Sequence, residues 1–203
     1  MKRWLFFVTL SASILYFLLS SFLQYSSQPF KADAIILLVG YDNEAREAEA
    51  KRLLHEGYAD YLLIPAWNKV LFKHKDTGVI DEFMLGQPVS TGGPRHWIRF
   101  GVLTSPENTH IEVLRAKGMM EALGLKTALF VSSPHHLRRI KMMAQAEFGD
   151  EVKMAFVAAD VEKNELPGWK AYFKDLYWLG MESVKIVWFL IYDSLSRPVD
   201  LVN

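Results

Sequence analysis

The chain has 203 residues, 23 basic and 23 acidic side chains, no cysteine and 51% hydrophobic residues. That length suits one domain with a small extension, and so apolar a composition excludes a disordered chain. Balanced charge argues against a nucleic-acid binder, which carries a basic excess, and the missing cysteine excludes a disulfide scaffold, thiol catalysis and a zinc–thiolate site.

The start of the chain is lopsided. No charged residue occurs between Trp4 and Phe30, and Trp4 to Leu23 is apolar except for Thr9, Ser11, Ser13, Ser20 and Ser21. Twenty helical residues at about 1.5 Å each span the ~30 Å hydrocarbon core of a bilayer. The stretch exceeds a signal-peptide core, and no small-x-small cleavage site follows it. The expectation is one uncleaved transmembrane helix over residues 4–23. Residues 1–30 then form an anchor and tether, and 31–203 form the folded domain. Lys2 and Arg3 precede the span, so the positive-inside rule keeps the N-terminus cytoplasmic. The chain would be a single-pass protein of the cell membrane with an extracytoplasmic domain.

After Asp33 strands and helices alternate. Ala34-Ile35-Ile36-Leu37-Leu38-Val39 is a short apolar run of the kind buried on both faces of a parallel sheet. Asp42 stands where it would cap a helix running to about Glu56, ended by Gly57. Tyr61–Ile64 reads as a second strand and Trp97–Leu103 as a weaker third. The piece from Ala66 to His96, rich in Gly and Pro, reads equally as a lid or an insertion. A helix from Pro106 to about Leu123, a strand Thr127–Val131, a helix from Pro134 to about Phe148 and a strand Val152–Ala158 follow. Trp169 to about Tyr192 is a long aromatic-rich helix, read as covering the core. The pattern predicts an α/β fold: a Rossmann-like, mostly parallel sheet with helices on both faces.

Two strand-to-helix junctions share a design. One reads Thr104-Ser105-Pro106-Glu107-Asn108-Thr109, the other Ser132-Ser133-Pro134-His135-His136. Each sets a hydroxyl residue at the expected N-cap and proline at the first helical position. Such junctions lie at the carboxyl edge of a parallel sheet, where ligands bind and where helix N-termini favour anions. His136 and Arg139, three apart, share a helix face and supply a proton-transfer group and a bidentate anion clamp. Glu112 follows the first junction and would act as an acid, a base or a partner of Arg139. No phosphate-loop, dinucleotide or nucleophile-elbow motif is present. His110, His135 and His136 match no metal-site spacing, so no metal ligands are assigned and the cofactor stays unknown.

From Asp33 to about Ala159 the chain resembles the YdcF/SanA/ElyC family, a domain often found behind one membrane helix. The resemblance is carried by Asp33–Leu38, by Arg46-x-x-x-Ala50-x-x-Leu53-x-x-x-Gly57, by Ser105-x-x-Asn108-Thr109 with Glu112, and above all by Leu129–Arg139. It implies a Rossmann-type domain involved in cell-envelope homeostasis. Carried over residue by residue, it marks Arg46, Asn108, Thr109, Glu112, Ser132, Ser133, His136 and Arg139 as site candidates. Taken with the two junctions, the expectation is that Arg46, Ser105, Asn108, Thr109, Ser132, Ser133 and Arg139 bind the ligand and that His136 and Glu112 are catalytic. The implied partner is a small anionic or lipid-linked molecule, such as a phosphate-bearing cell-wall metabolite, on which a hydrolase or transferase would act. Val39–Asn43 and Pro65–Trp67 depart from the family's glycine-rich and Ser-Gly turns, which keeps a non-catalytic binding or scaffold protein as the alternative.

Overall fold

The computed structural model describes residues 2–40, 42–85, 104–160 and 168–196. Helix α1 spans Lys2–Leu23 and leads into β1 (Ala34–Leu37), α2 (Asn43–His55) and β2 (Tyr61–Ile64). A single 3-10 turn at Pro65–Trp67 precedes β3 (Lys69–Lys73) and β4 (Ile80–Met84). Then come α3 (Thr104–Leu123), β5 (Thr127–Ser132), a 3-10 turn at Pro134–His136, α4 (Leu137–Phe148), β6 (Lys153–Ala158) and α5 (Gly168–Ser196).

The six strands form one sheet in the order β4-β3-β2-β1-β5-β6. β1 pairs in parallel with β2 and β5, and β5 with β6. β2–β3 and β3–β4 are antiparallel. Alternation along the parallel strands sorts the core. Ala34, Ile36, Ala128 and Phe130 face Val113, Met119, Ile140, Met143, Phe189 and Tyr192 from α3, α4 and α5. Ile35, Leu37, Leu129 and Val131 face Ala50, Leu53 and Leu54 of α2. Helices thus cover both faces, and strands buried on both sides need the continuous apolar runs that the sequence supplies. The chain leaves β1 toward β2 on one side, while β5 lies on the other. The carboxyl ends of β1 and β5 therefore flank a switch in strand order, compatible with a Rossmann-like arrangement.

Three expectations change. First, among the described residues no helix is long and apolar enough to cross a membrane, which overturns the transmembrane helix over 4–23. The second half of α1 is engaged by protein: Leu23 is buried against Leu179 and Ile186, with Tyr16 beside them. The Arg138 guanidinium covers the Phe22 ring and donates to the Phe22 carbonyl at 2.7 Å. The residues that follow lie along β6, where Ser27 N–H donates to the Phe156 carbonyl at 2.8 Å and Ser27 Oγ accepts from Phe156 N–H at 2.8 Å.

Second, much of Ala66–His96 belongs to the sheet. Lys69–Lys73 and Ile80–Met84 form an antiparallel hairpin that extends the β2 edge, tied across by Lys69–Glu82 at 2.7 Å. Gly78, at φ +69°, shapes its turn. Val70-Leu71-Phe72 is a three-residue apolar run between lysines, and Ile80–Met84 is largely exposed, so neither carries the signature of a strand buried on both faces. Residues 86–96, which hold most of the glycines and prolines behind the lid reading, and Trp97–Leu103 lie outside the described residues.

Third, the expected caps do other work. Asp42 and Ser133 occupy N-cap positions, yet neither side chain bonds its own helix. The second junction is a 3-10 turn that hands over to α4 at Leu137, ended at Gly149, rather than one helix from Pro134.

Candidate functional site

The side chains that the helices do not use converge at the carboxyl ends of β1 and β5. Ser133 Oγ donates to Asp42 Oδ2 at 2.9 Å and accepts from Arg46 Nε at 2.9 Å. Arg46 Nη1 donates to the Leu38 carbonyl at 3.0 Å. One arginine therefore ties the end of β1 to the end of β5, and it is buried in doing so. Burial pulls the guanidinium below its ordinary value, and Asp42 and Glu112 oppose that loss. Gly40 makes the arrangement possible, because a Cβ there would overlap the guanidinium.

Beside this tie lies a cleft of about 150 Å³, lined by Leu38–Gly40, Arg46, Thr109, Ser132, His136, Arg139, Trp178 and Lys185 among others. Ser132 is fully buried and its Oγ has no partner among the described residues. Arg139 is 2% exposed, and its Nη1 is likewise unpartnered. Its Nε donates to Glu182 Oε2 at 2.9 Å. The other Glu182 oxygen accepts from Lys185 Nζ at 2.8 Å and lies 3.1 Å from His136 Nδ1. Burial opposes ionisation of Glu182, but the contacts from His136 and Arg139 outweigh it and hold the carboxyl far below its usual range. Burial pushes His136 the other way, down to about 4 against the pull of Glu182, so its imidazole is neutral near pH 7. Three cations (Arg46, Arg139, Lys185) meet the carboxylates of Asp42 and Glu182 and the Glu112 carboxyl, which is raised to about 7, so below that pH this group of side chains keeps one excess positive charge.

Of the residues expected from sequence, Arg46, Thr109, Ser132, His136 and Arg139 line the cleft. Ser133 stands behind it, holding Arg46. Glu112 is not among the lining residues given above: it accepts from the Val39 N–H, its Oε2 is buried without a partner, and burial raises its carboxyl to about 7. Asn108 is exposed. The Ser105 side chain lies outside the described residues. His110 belongs elsewhere, in a buried group with Glu147 (2.7 Å) and Tyr192 (3.2 Å). Among the described residues no cluster of three or more His, Asp or Glu could hold a metal ion.

Sequence reasoning missed Trp178, Glu182 and Lys185, all from α5. A signal existed. These residues are four and three apart, so they share one face of the helix. A charged pair on the core-facing stripe of an aromatic-rich helix is costly unless it is satisfied or used. His135 stacks on Trp178 with ring centres 5.3 Å apart, which packs the start of α4 against α5.

No family model, curated protein or solved structure matches the chain.

Proposed function

We propose that the cleft binds a phosphate-bearing small molecule and that His136 serves proton transfer on it, in the manner of a hydrolase or transferase. The observation that carries this reading is the pair of buried, unpartnered polar atoms in one cleft, Ser132 Oγ and Arg139 Nη1. Leaving a buried donor unmade costs on the order of 1–3 kcal/mol, more for a charged group, so such atoms point to an absent partner. An oxyanion satisfies both: it accepts from the guanidinium and from the hydroxyl. The excess positive charge favours the same ligand. The resemblance to the YdcF/SanA/ElyC family suggests which phosphates to try first, namely envelope and cell-wall metabolites.

The test is calorimetric titration of the full chain with inorganic phosphate. Saturable binding is expected, weakened tenfold or more in Arg139→Met and in Ser132→Ala. Absence of binding to the folded wild-type chain refutes the reading. Phosphate release from a panel of envelope phosphoesters then tests turnover, which His136→Ala should abolish while the fold persists. Binding without turnover is the second reading. It is favoured by Glu112, which is spent on the Val39 N–H rather than lining the cleft.

A further inference from the structure

The cleft presents donors almost everywhere: the guanidinium of Arg139, the ammonium of Lys185 and the Ser132 hydroxyl all give hydrogen bonds. The guanidinium and ammonium only donate, and a hydroxyl can turn its proton toward whichever anion is bound, so these groups accept sulfate as readily as phosphate. His136 is the exception that decides which. Its Nδ1 sits 3.1 Å from Glu182 Oε1, and Glu182 is fully buried and ionised by Arg139 and Lys185. A carboxylate accepts and never donates, so the lowest-energy arrangement puts the imidazole proton on Nδ1, toward the carboxylate. The 3.1 Å contact is within reach but not aligned as a hydrogen bond, and the negative carboxylate still favours the proton on the nearer nitrogen. His136 also lines the cleft, and its remaining nitrogen is on the ring edge away from Glu182.

We infer that Glu182 is a positioning residue that fixes His136 as the Nδ1–H tautomer, so that Nε2 faces the cleft as a bare acceptor and the site selects oxyanions that still carry a proton. This rests on the anion reading above and narrows it to phosphate monoesters. Inorganic phosphate and phosphomonoesters keep a proton near pH 6, since the second pKa of a phosphomonoester is about 6. Sulfate and phosphodiesters have none to give. The selection is a matter of an unpaired acceptor: an aprotic anion sets an oxygen lone pair against the Nε2 lone pair, and repulsion replaces a hydrogen bond. The groups around the ring agree with a neutral imidazole. Burial disfavours a charge on it, Glu182 favours one, and Arg139 and His135 oppose it. The Trp178 ring meets it edge to face at 5.8 Å and adds no charge.

The experiment has two arms at pH 6 on the full chain. Nitrogen-15 NMR of the His136 ring reads the tautomer directly and needs no ligand. The Nδ1–H form is expected in the wild type, against the Nε2–H form that free histidine prefers, and Glu182→Gln should move it toward Nε2–H. Calorimetry with inorganic phosphate and with sulfate reads the selection. Phosphate is expected to bind at least tenfold tighter than sulfate, and in Glu182→Gln the ratio should fall below about threefold, because Nε2–H can donate to either anion. An Nε2–H ring in the wild type overturns the inference, whatever the anions do, and so does equal affinity for phosphate and sulfate. If phosphate binds in either of those cases, the anion reading survives alone. If the ring is Nδ1–H and neither anion binds, the anion reading fails and takes the ligand class with it. The wild-type measurements decide the matter even if Glu182→Gln does not fold.

Discussion

Gly40→Ala probes the tie between β1 and β5 with a single carbon. Built on the Gly40 backbone, a Cβ would lie 2.9 Å from both Cζ and Nη2 of Arg46. Comfortable carbon contacts begin at about 3.5 Å, so the guanidinium has to move by roughly half an ångström or more. An exposed arginine would do so freely, but Arg46 is 3% exposed and held at two points, Nε to Ser133 and Nη1 to the Leu38 carbonyl. Hydrogen bonds from charged donors are worth about 1.5–3 kcal/mol each, and overpacking a tight site costs about 1–3 kcal/mol. Loss of about 2 kcal/mol is therefore expected, which moves a urea midpoint down by about 1 M at a slope of ~2 kcal/mol per molar. Phosphate affinity should fall about tenfold or more, because the displaced guanidinium lines the cleft. Gly57→Ala is the control. Nothing lies within 4 Å of that site, but φ is +76°, so strain alone should cost about 1–2 kcal/mol and leave phosphate binding unchanged. Should Gly40→Ala match the wild type in both urea midpoint and phosphate affinity, Arg46 is not pinned and the account of the tie is wrong.

Two buried groups should bend the pH dependence of stability in opposite senses. The Glu112 carboxyl is raised to about 7, so the folded state holds a proton that the unfolded chain releases above its ordinary value of 4.5. Stability is lost as pH rises from about 4.5 to 7, and Glu112→Gln, which keeps the acceptor for Val39, should gain up to about 3 kcal/mol on the wild type above pH 7 and nothing below pH 4. His136 is lowered to about 4 from 6.5, so the unfolded chain binds the extra proton between those values. Its contribution is present above pH 6.5 and lost as pH falls toward 4, and urea midpoints of His136→Asn should show a shallower acid limb across that window. Tyr192→Phe removes the hydroxyl beside His110 Nδ1 and should cost about 1–2 kcal/mol in urea while leaving phosphate titration curves unaltered, since none of His110, Glu147 and Tyr192 lines the cleft.

The parallel part of the sheet was legible because burial on both faces forces continuous apolar strands, and β1, β2, β5 and β6 all carry that signature. The carboxyl-edge location of Ser132, His136 and Arg139 followed from the strand–turn–helix order. The hairpin was not legible: Val70-Leu71-Phe72 is a short apolar run closed at both ends by lysine, and Ile80–Met84 is largely exposed with Asp81 and Glu82 at its centre, so neither reads as a strand buried on both faces. Glu182 carried a local signal in its spacing with Trp178 and Lys185, but nothing in the sequence tied it to Arg139, 43 positions away, and the aromatic content of its helix reads as core. The apolar length of α1 was legible but misread, because composition alone does not tell a helix whose second half packs on its own protein from one that meets lipid along its whole length.

The misassigned caps are the most informative of these differences. An N-cap side chain is worth about 1 kcal/mol to its helix, and local propensity assigns Asp42 and Ser133 to that use. The fold gives up both at one edge of the sheet and bonds them to each other and to Arg46 instead. A stability argument alone does not favour this exchange, because it buries a guanidinium and leaves two helix starts without a side-chain cap. It gains a rigid bridge between the only two strand ends that flank the switch in strand order, with Gly40 left bare for the guanidinium to occupy. Local rules broken together, at the one place where topology puts a ligand, are what a site assembled for binding requires. The same reasoning explains why the Arg139–Glu182–Lys185 group is tolerated in the core: Glu182 pairs with both cations, and the positive charge left over belongs to residues that line the cleft.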